Sequence, residues 1–171
     1  MSRGRDVRVL GIDPGTIKMG YGFLDETDGG LTLVRCGVVE ASPNLSVEKR
    51  LQKLYSDLLG LVQEYRPDQV AVEEPFVHRN VRSAMMVGEA KAIAVLAATS
   101  LGAPVSHYAP RQVKQAVTSY GGSDKKQVQE MVRLQLGLSI PPEPLDASDA
   151  IAVALCHLHQ TSLDRLLSQN A

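Results

Sequence analysis

The alternation of apolar and polar positions predicts that the chain begins with a three-stranded meander. An apolar run over residues 7–12 stops at Asp13, immediately before a Pro-Gly pair, as expected of a buried strand ended by a turn. Further strand patterns follow over 19–24 and 31–40. Because short polar turns join these segments, the three strands should pair antiparallel.

Two glycines interrupt the side-chain pattern of the second predicted strand. Gly20 and Gly22 alternate with the aromatic residues Tyr21 and Phe23. A glycine inside a strand often marks close approach of another backbone. The pattern therefore predicts that some other element packs closely against this strand.

After residue 45 the apolar spacing becomes that of helices alternating with two further strands. The strands are predicted over 69–74 and 104–108, and the helices over 46–65, 81–101, 111–118, 124–136 and 146–159. Because a helix separates the fourth strand from the meander, that strand should pair in parallel with the first through a right-handed crossover.

The predicted fold class is α/β, with a mixed five-stranded sheet flanked by helices. Three of its strands are antiparallel, and the last two are parallel. Residues 1–171 have a length that fits one domain, in which 162–171 is expected to be a weakly ordered tail.

Composition is that of a soluble globular protein, with 44% hydrophobic and 22% charged residues. We expect no apolar run long enough to cross a bilayer and see no signal-peptide core. The sequence therefore predicts a cytoplasmic protein with no membrane partner. Cys36 and Cys156 have no metal-ligand spacing, which favours free thiols.

Charge is unevenly distributed, although the chain as a whole carries −1. Residues 75–135 contain eight Lys or Arg and three acidic residues, a net charge of +5, which leaves −6 elsewhere. A basic surface beside an acidic centre suits a polyanion together with divalent cations. The alternative is that these basic residues form an ordinary solvated surface that binds no polyanion.

Several acidic residues stand at the ends of predicted elements. Asp13 ends the first strand, and either Glu73 or Glu74 ends the fourth. If these strands pair in parallel, both acids emerge at one edge of the sheet. Asp146 and Asp149 are three residues apart, which places them on one face of the last helix.

Taken singly, these acids have ordinary structural explanations as turn residues, helix caps or first-turn acids. Clustered carboxylates, however, repel one another unless cations lie between them. Hard divalent ions such as Mg²⁺ and Mn²⁺ prefer such oxygen ligands. Two such ions about 4 Å apart can activate water and stabilise the leaving oxygen of a phosphodiester.

Four sequence blocks together resemble the RuvC family of bacterial Holliday-junction resolvases. They are Gly11-Ile12-Asp13-Pro14-Gly15-Thr16, Val72-Glu73-x-x-Phe76, Ala109-x-Arg111-Gln112-Val113-Lys114-Gln115 and Asp146-Ala147-Ser148-Asp149-Ala150. The resemblance covers essentially the whole chain and implies a ribonuclease-H-like fold and a homodimer. It also implies an endonuclease of recombination and repair that nicks two opposed strands of a four-way junction, leaving 5′-phosphate and 3′-hydroxyl ends.

The same resemblance assigns roles to individual residues. It implies two Mg²⁺ or Mn²⁺ ions per subunit, held by the catalytic acids Asp13, Glu73, Asp146 and Asp149. It also implies a partnership with the RuvA–RuvB branch-migration complex. The residues predicted to contact DNA, by motif or by position near the basic segment, are Phe76, Arg79, Asn80, Arg82, Arg111, Lys114, Lys125 and Lys126. Glu74 remains the alternative ligand to Glu73.

Three other functions compete with this interpretation. The first block also resembles the phosphate turn of actin-like ATPases and sugar kinases, which need two related domains. A YqgF-type nuclease of the same fold would process RNA instead of DNA. A junction-binding protein without catalysis is the third possibility, although such a binder gains nothing from carboxylates beside phosphates.

The predicted helix over 81–101 is apolar on all sides and must therefore be covered on all sides. A second copy of the chain would cover it in a two-fold dimer, with Ala90, Ala94 and Ala97 allowing close approach. Burial by the last helix of the same chain is the alternative.

Overall fold

One five-stranded sheet organises the molecule in the computed structural model, which describes residues 7–74 and 80–169. The strands are β1 (Val7–Asp13), β2 (Lys18–Thr27), β3 (Gly30–Glu40), β4 (Gln69–Glu73) and β5 (Val105–Tyr108). Their order in the sheet is β3-β2-β1-β4-β5. The first three pair antiparallel, whereas β4 pairs in parallel with β1 and β5. The predicted mixed sheet is therefore confirmed.

Helices cover both faces of this sheet. They are α1 (Val47–Tyr65), α2 (Val81–Ala98), α3 (Pro110–Thr118), α4 (Lys125–Gln135) and α5 (Leu145–Gln169). Helices α1 and α2 close one hydrophobic core over the sheet, while α3, α4 and α5 close a second core on the opposite face. The strands thus carry apolar side chains on both faces, as expected of the buried centre of an α/β fold.

Helix α5 packs closely against the sheet at positions where the strands carry glycine and so have no side chain beneath the helix. A Cβ atom on Gly20 would lie 2.0 Å from the carbonyl oxygen of Asp146, and one on Gly11 would lie 2.0 Å from that of Ala150. A Cβ on Gly22 would lie 2.6 Å from the Ile151 side chain. The close packing predicted for Gly20 and Gly22 is confirmed, and α5 is the element that makes it.

The last helix is longer than the sequence predicted. Instead of ending at 159, α5 continues to Gln169, so that 162–169 are helical where a weakly ordered tail was expected. Arg165 forms an ion pair with Glu26 of β2 at 3.3 Å, and the Ser162 hydroxyl donates to the same carboxylate at 3.5 Å. These contacts fasten the last turns of α5 to the sheet, although the leucines there, Leu163, Leu166 and Leu167, are exposed.

Helix α2 differs from prediction in two respects. With the 3₁₀ turn that follows it, Val81–Leu101 has a mean hydropathy of 1.4 and is long and apolar enough, by length and composition alone, to cross a membrane. The prediction that no run reaches this length was wrong. The alanines expected to approach a second copy face the core of their own protomer instead: Ala90, Ala94 and Ala97 are fully buried.

Candidate metal centre

Two acids meet at the end of the parallel strand pair. Ile12 of β1 aligns with Val72 of β4, so the next residues, Asp13 and Glu73, are neighbours at the same sheet edge. Their side chains are hydrogen-bonded to each other. Two carboxyl groups can share a hydrogen bond only if one of them carries a proton, and two ionised carboxylates this close would need a cation between them.

Helix α5 brings two further carboxylates to the same place. Gly20 is paired with Asp13 across β1 and β2, and its missing side chain admits the first turn of α5. One carboxylate oxygen from each of Asp13, Asp146 and Asp149 lies within 4.8 Å of the others. Residues far apart in sequence thus converge in one cluster.

Burial and mutual repulsion make it unfavourable for all the carboxyl groups of this cluster to be ionised at once. Burial and the neighbouring Asp13 raise the pKa of Glu73 to about 9. Burial, with a contribution from Asp149, raises the pKa of Asp13 to about 6. The pKa of Asp149 is also raised by burial, against the opposing effect of Lys125. A divalent cation with hard oxygen ligands would relieve this cost, so the donor set fits Mg²⁺ or Mn²⁺.

A lysine already supplies one positive charge to these acids. Lys125, at the start of α4, donates from Nζ to Oδ2 of Asp149 at 2.7 Å and lies 3.8 Å from Oδ1 of Asp146. The adjoining cavity has a volume of about 360 Å³, and Asp13, Glu73, Asp149, Lys114 and Lys125 are among its lining residues. A phosphate entering this cavity would meet both lysines together with the acids.

Glu74 also lines the cavity, but its carboxylate is engaged elsewhere. Oε1 of Glu74 accepts a hydrogen bond from Nζ of Lys91 in α2 at 2.6 Å and lies 3.5 Å from Nδ1 of His107 in β5. Lys91 lowers the pKa of Glu74. Of the two adjacent glutamates, Glu73 is the one bonded to Asp13.

The residues predicted to contact DNA separate into three groups. Lys114 and Lys125 line the acidic cavity. Arg111 and Lys126 are exposed on either side of the α3–α4 loop. Arg82 is exposed at the start of α2, and Asn80 caps that helix by accepting from the backbone N–H of Arg82 at 3.1 Å. Phe76 and Arg79 lie outside the described residues.

Several residues that shape this site were not predicted from sequence patterns. The partnership of Lys91 with Glu74 was not predicted, and its only signal was a lysine in the predominantly apolar helix α2. Close packing against Gly11 was not predicted, although a Cβ there would overlap helix α5 just as one on Gly20 or Gly22 would. The Lys125–Asp149 ion pair joins helices α4 and α5, and no sequence spacing reveals it.

We expect the protein without added metal to lose thermal stability as the pH rises from about 4.5 to about 9. Across that range folded Glu73 keeps a proton that the unfolded chain, with a glutamate pKa of 4.5, has released. The folded state binds more protons, so stability falls with pH. Asp13 contributes to this decline only up to about pH 6, because its pKa in the folded protein is about 6. Melting curves in a chelator at half-unit pH steps would measure this decline.

Glu73→Gln should flatten the part of the curve above pH 6, where Asp13 no longer contributes. The exposed Glu143 supplies the control, since Glu143→Gln should leave the decline unchanged. An equal slope above pH 6 in the wild type and in Glu73→Gln would contradict the prediction.

Comparison with known proteins gives a consistent result over most of the chain. The family model described as crossover junction endodeoxyribonuclease RuvC matches residues 9–157. The crossover junction endodeoxyribonuclease RuvC of Roseiflexus sp. (strain RS-1) is 48% identical over 162 residues, covering 95% of this chain and 96% of that protein.

Solved structures show the same similarity. Thermus thermophilus RuvC in complex with a Holliday junction substrate has a TM-score of 0.85 and 36% identity, covering 92% of this chain and 96% of that one. The yeast mitochondrial Holliday junction resolvase Ydc2 has a TM-score of 0.66 over 96% of this chain and 86% of its own, at 13% identity, and shares the fold alone. The predicted ribonuclease-H-like fold class is confirmed by these likenesses.

Proposed function

This chain belongs to the RuvC family of crossover junction endodeoxyribonucleases, and from that membership we propose that it resolves four-way DNA junctions by metal-dependent hydrolysis. The observation that carries the proposal is the cluster of Asp13, Asp146 and Asp149 within 4.8 Å, to which Glu73 is bonded through Asp13. A protein that only binds DNA would gain nothing from such acids beside phosphates.

The proposed role of the four acids is to hold the metal. Asp13, Glu73, Asp146 and Asp149 would hold two Mg²⁺ or Mn²⁺ ions per subunit. The ions would lower the pKa of a water and neutralise charge at the leaving 3′ oxygen, giving 5′-phosphate and 3′-hydroxyl ends.

The lysines act on the substrate. Lys114 and Lys125 line the cavity that contains the acids, so they would hold the scissile phosphate against the metal centre by charge-assisted hydrogen bonds. Arg82, Arg111 and Lys126, which are exposed, would bind more distant phosphates and set the path of each DNA arm. Such contacts position the strand but do not distinguish one base sequence from another.

The segment before α2 would recognise the branched structure of the junction. Phe76 and Arg79, with Asn80 at the helix start, would lie near the branch point, where unpaired bases can stack on an aromatic ring. We propose further that residues 1–171 act as one nuclease domain in the cytoplasm and cooperate with the RuvA–RuvB complex, as the family resemblance implies.

A homodimer would give each of the two opposed strands its own active site. The outer face of α2 carries apolar side chains that the described residues leave open: Val81, Met85 and Leu96 are 71%, 64% and 59% exposed. Spacings of four and eleven residues keep these side chains on one helix face. A two-fold axis beside this face would cover it with the same face of a second copy.

Leu96→Glu should therefore convert the dimer to a monomer, because it places two like charges near the symmetry axis. Light scattering across a micromolar dilution series would measure the mass, with and without junction DNA. On a four-way junction the variant should release singly nicked products in place of paired nicks.

The matched control is Leu163→Glu, which makes the same change at a 51% exposed leucine of α5 and should remain dimeric. A wild-type protein that is monomeric throughout the series, even with junction DNA, would contradict the dimer.

The whole proposal is tested by incubating the protein with an end-labelled four-way junction, a linear duplex and an RNA hairpin, each with Mg²⁺, with Mn²⁺ or with a chelator. We expect paired nicks in the junction alone, and only with metal. Cleavage of the hairpin in preference to the junction would indicate an RNA-processing nuclease of the same fold. Binding of the junction without cleavage in either metal would indicate a non-catalytic binder.

A further inference from the structure

The loop between α3 and α4 presents an aromatic ring to solvent. Tyr120 is 68% exposed and lies in the sequence Thr118-Ser119-Tyr120-Gly121-Gly122-Ser123. Exposed aromatic rings on an ordered loop are suited to stacking, because every nucleobase has a complementary flat face. The metal chemistry described above makes no use of this side chain.

Hydrogen bonds hold the backbone of this loop in place. The Thr118 hydroxyl accepts from the backbone N–H of Tyr120 at 3.2 Å and lies 2.8 Å from the carbonyl oxygen of Lys114. The Ser123 hydroxyl donates to the carbonyl oxygen of Tyr120 at 2.8 Å. Both backbone polar groups of Tyr120 are therefore fixed, and the position from which its ring projects is defined before any ligand arrives.

Glycines support the two side chains that matter here. A Cβ atom on Gly122 would lie 2.8 Å from the Tyr120 ring, so the ring rests against this glycine. A Cβ on Gly121 would lie 2.7 Å from Cγ of Arg111, so the arginine side chain also lies along the loop. The ring is thus backed by the loop and remains mostly open to solvent, which lowers the ordering cost of stacking.

The two depressions that border the Tyr120 ring differ in charge, and the difference favours DNA binding on one side of the ring. A depression of about 450 Å³ beside Tyr120 is lined by Arg111, Gln115 and the loop residues, and Arg111 is the charged residue among the described residues that line it. The depression of about 500 Å³ that also borders the ring includes Asp124, Glu130 and Lys126 in its lining. A polyanion would favour the Arg111 side, where no carboxylate stands among the described lining residues.

The loop also lies beside the catalytic cavity. Arg111 precedes Lys114 by three residues on α3, so the two side chains are one helical turn apart on one face. On the other side of the loop, Lys125 begins α4 and bonds to Asp149. A strand whose phosphate lies between Lys114 and Lys125 would continue past Tyr120.

We propose that Tyr120 stacks on an unpaired nucleobase of the cleaved strand, while Arg111 binds an adjacent phosphate. The inference rests on the proposed junction-cleaving function and adds a contact that the family motifs do not assign. The occupant is a nucleobase displaced from its stack at the branch point, because a base stacked within a duplex has no free face.

A fluorescent reporter can test the contact directly, because the chain contains no tryptophan. Tyr120→Trp places a single indole at the proposed site, where it can stack as tyrosine does. In a chelator, addition of a four-way junction should quench this fluorescence, whereas a linear duplex of the same sequence should not. Unchanged fluorescence while anisotropy of a labelled junction reports binding would overturn the inference, as would equal quenching by the duplex.

Two further variants measure the contribution of the ring. Tyr120→Ala should weaken metal-free junction binding about tenfold, within the range expected for one stacked base, while Tyr120→Phe keeps the ring and should bind as the wild type does. Melting temperatures establish that both variants are folded. If the wild type cleaves junctions and Tyr120→Ala binds them equally well, the stacking contact is wrong and the junction function stands. If the wild type neither binds nor cleaves junctions, the proposed function itself fails.

Discussion

Asp149→Asn is expected to abolish strand cleavage while junction binding stays equal or becomes tighter. The change removes a largely buried negative charge from the cluster with Asp13 and Asp146, and with it a strong ligand for a divalent ion. It also releases Lys125 from a 2.7 Å ion pair, which frees the ammonium group for a phosphate. Single-turnover nicking should fall by at least about a hundredfold, a loss that the removal of outer hydrogen-bond partners alone can reach.

Asp13→Asn should behave in the same way, because Asp13 belongs to the same cluster. The matched control is Asp164→Asn on helix α5, where the carboxylate accepts a surface hydrogen bond from Gln160 and cleavage should be unaffected. Binding is measured in a chelator, so that metal does not contribute. Near wild-type cleavage by Asp149→Asn would place the catalytic centre elsewhere.

Glu73→Gln and Glu74→Gln should have very different effects, although the residues are adjacent and both line the cavity. Glu73 is bonded to Asp13, so its amide variant should lose cleavage by at least about a hundredfold, as for the other ligands. Glu74 is bonded to Lys91 of α2 in a partly exposed ion pair, and ion pairs open to solvent are worth at most about 1 kcal/mol. Glu74→Gln should therefore cleave at close to the wild-type rate.

Metal binding in the absence of DNA separates this prediction from an effect on substrate. Titration calorimetry with Mn²⁺ should show weaker binding to Glu73→Gln and unchanged binding to Glu74→Gln. An inactive Glu74→Gln beside an active Glu73→Gln would assign the ligand to Glu74 instead.

Most of the architecture could be predicted because local patterns and global pairing agree. The meander followed from short turns, and the parallel pairing of β1 with β4 followed from the intervening helix α1. That pairing was enough to place Asp13 beside a glutamate of the fourth strand. Periodicity is a reliable signal wherever an element buries one face.

The differences arise where contacts distant in sequence determine the structure. The last ten residues of α5 are held by Glu26 of β2, and helix propensity within that segment does not reveal such a partner. The alanines of α2 are buried by the protomer's own core, although composition alone allowed a second copy to cover them. Likewise, the choice between Glu73 and Glu74 depends on where α2 places Lys91.

The three glycines beneath α5 limit which substitutions the enzyme can tolerate. None of them carries a functional group, yet added methyl groups at Gly11 and Gly20 would overlap the carbonyl oxygens of Ala150 and Asp146. The helix could respond only by rising from the sheet, and its acids would then move away from Asp13. A screen for inactive variants would therefore recover these glycines together with the acids. Their loss would resemble a chemical defect although its origin is an increased distance between otherwise intact groups.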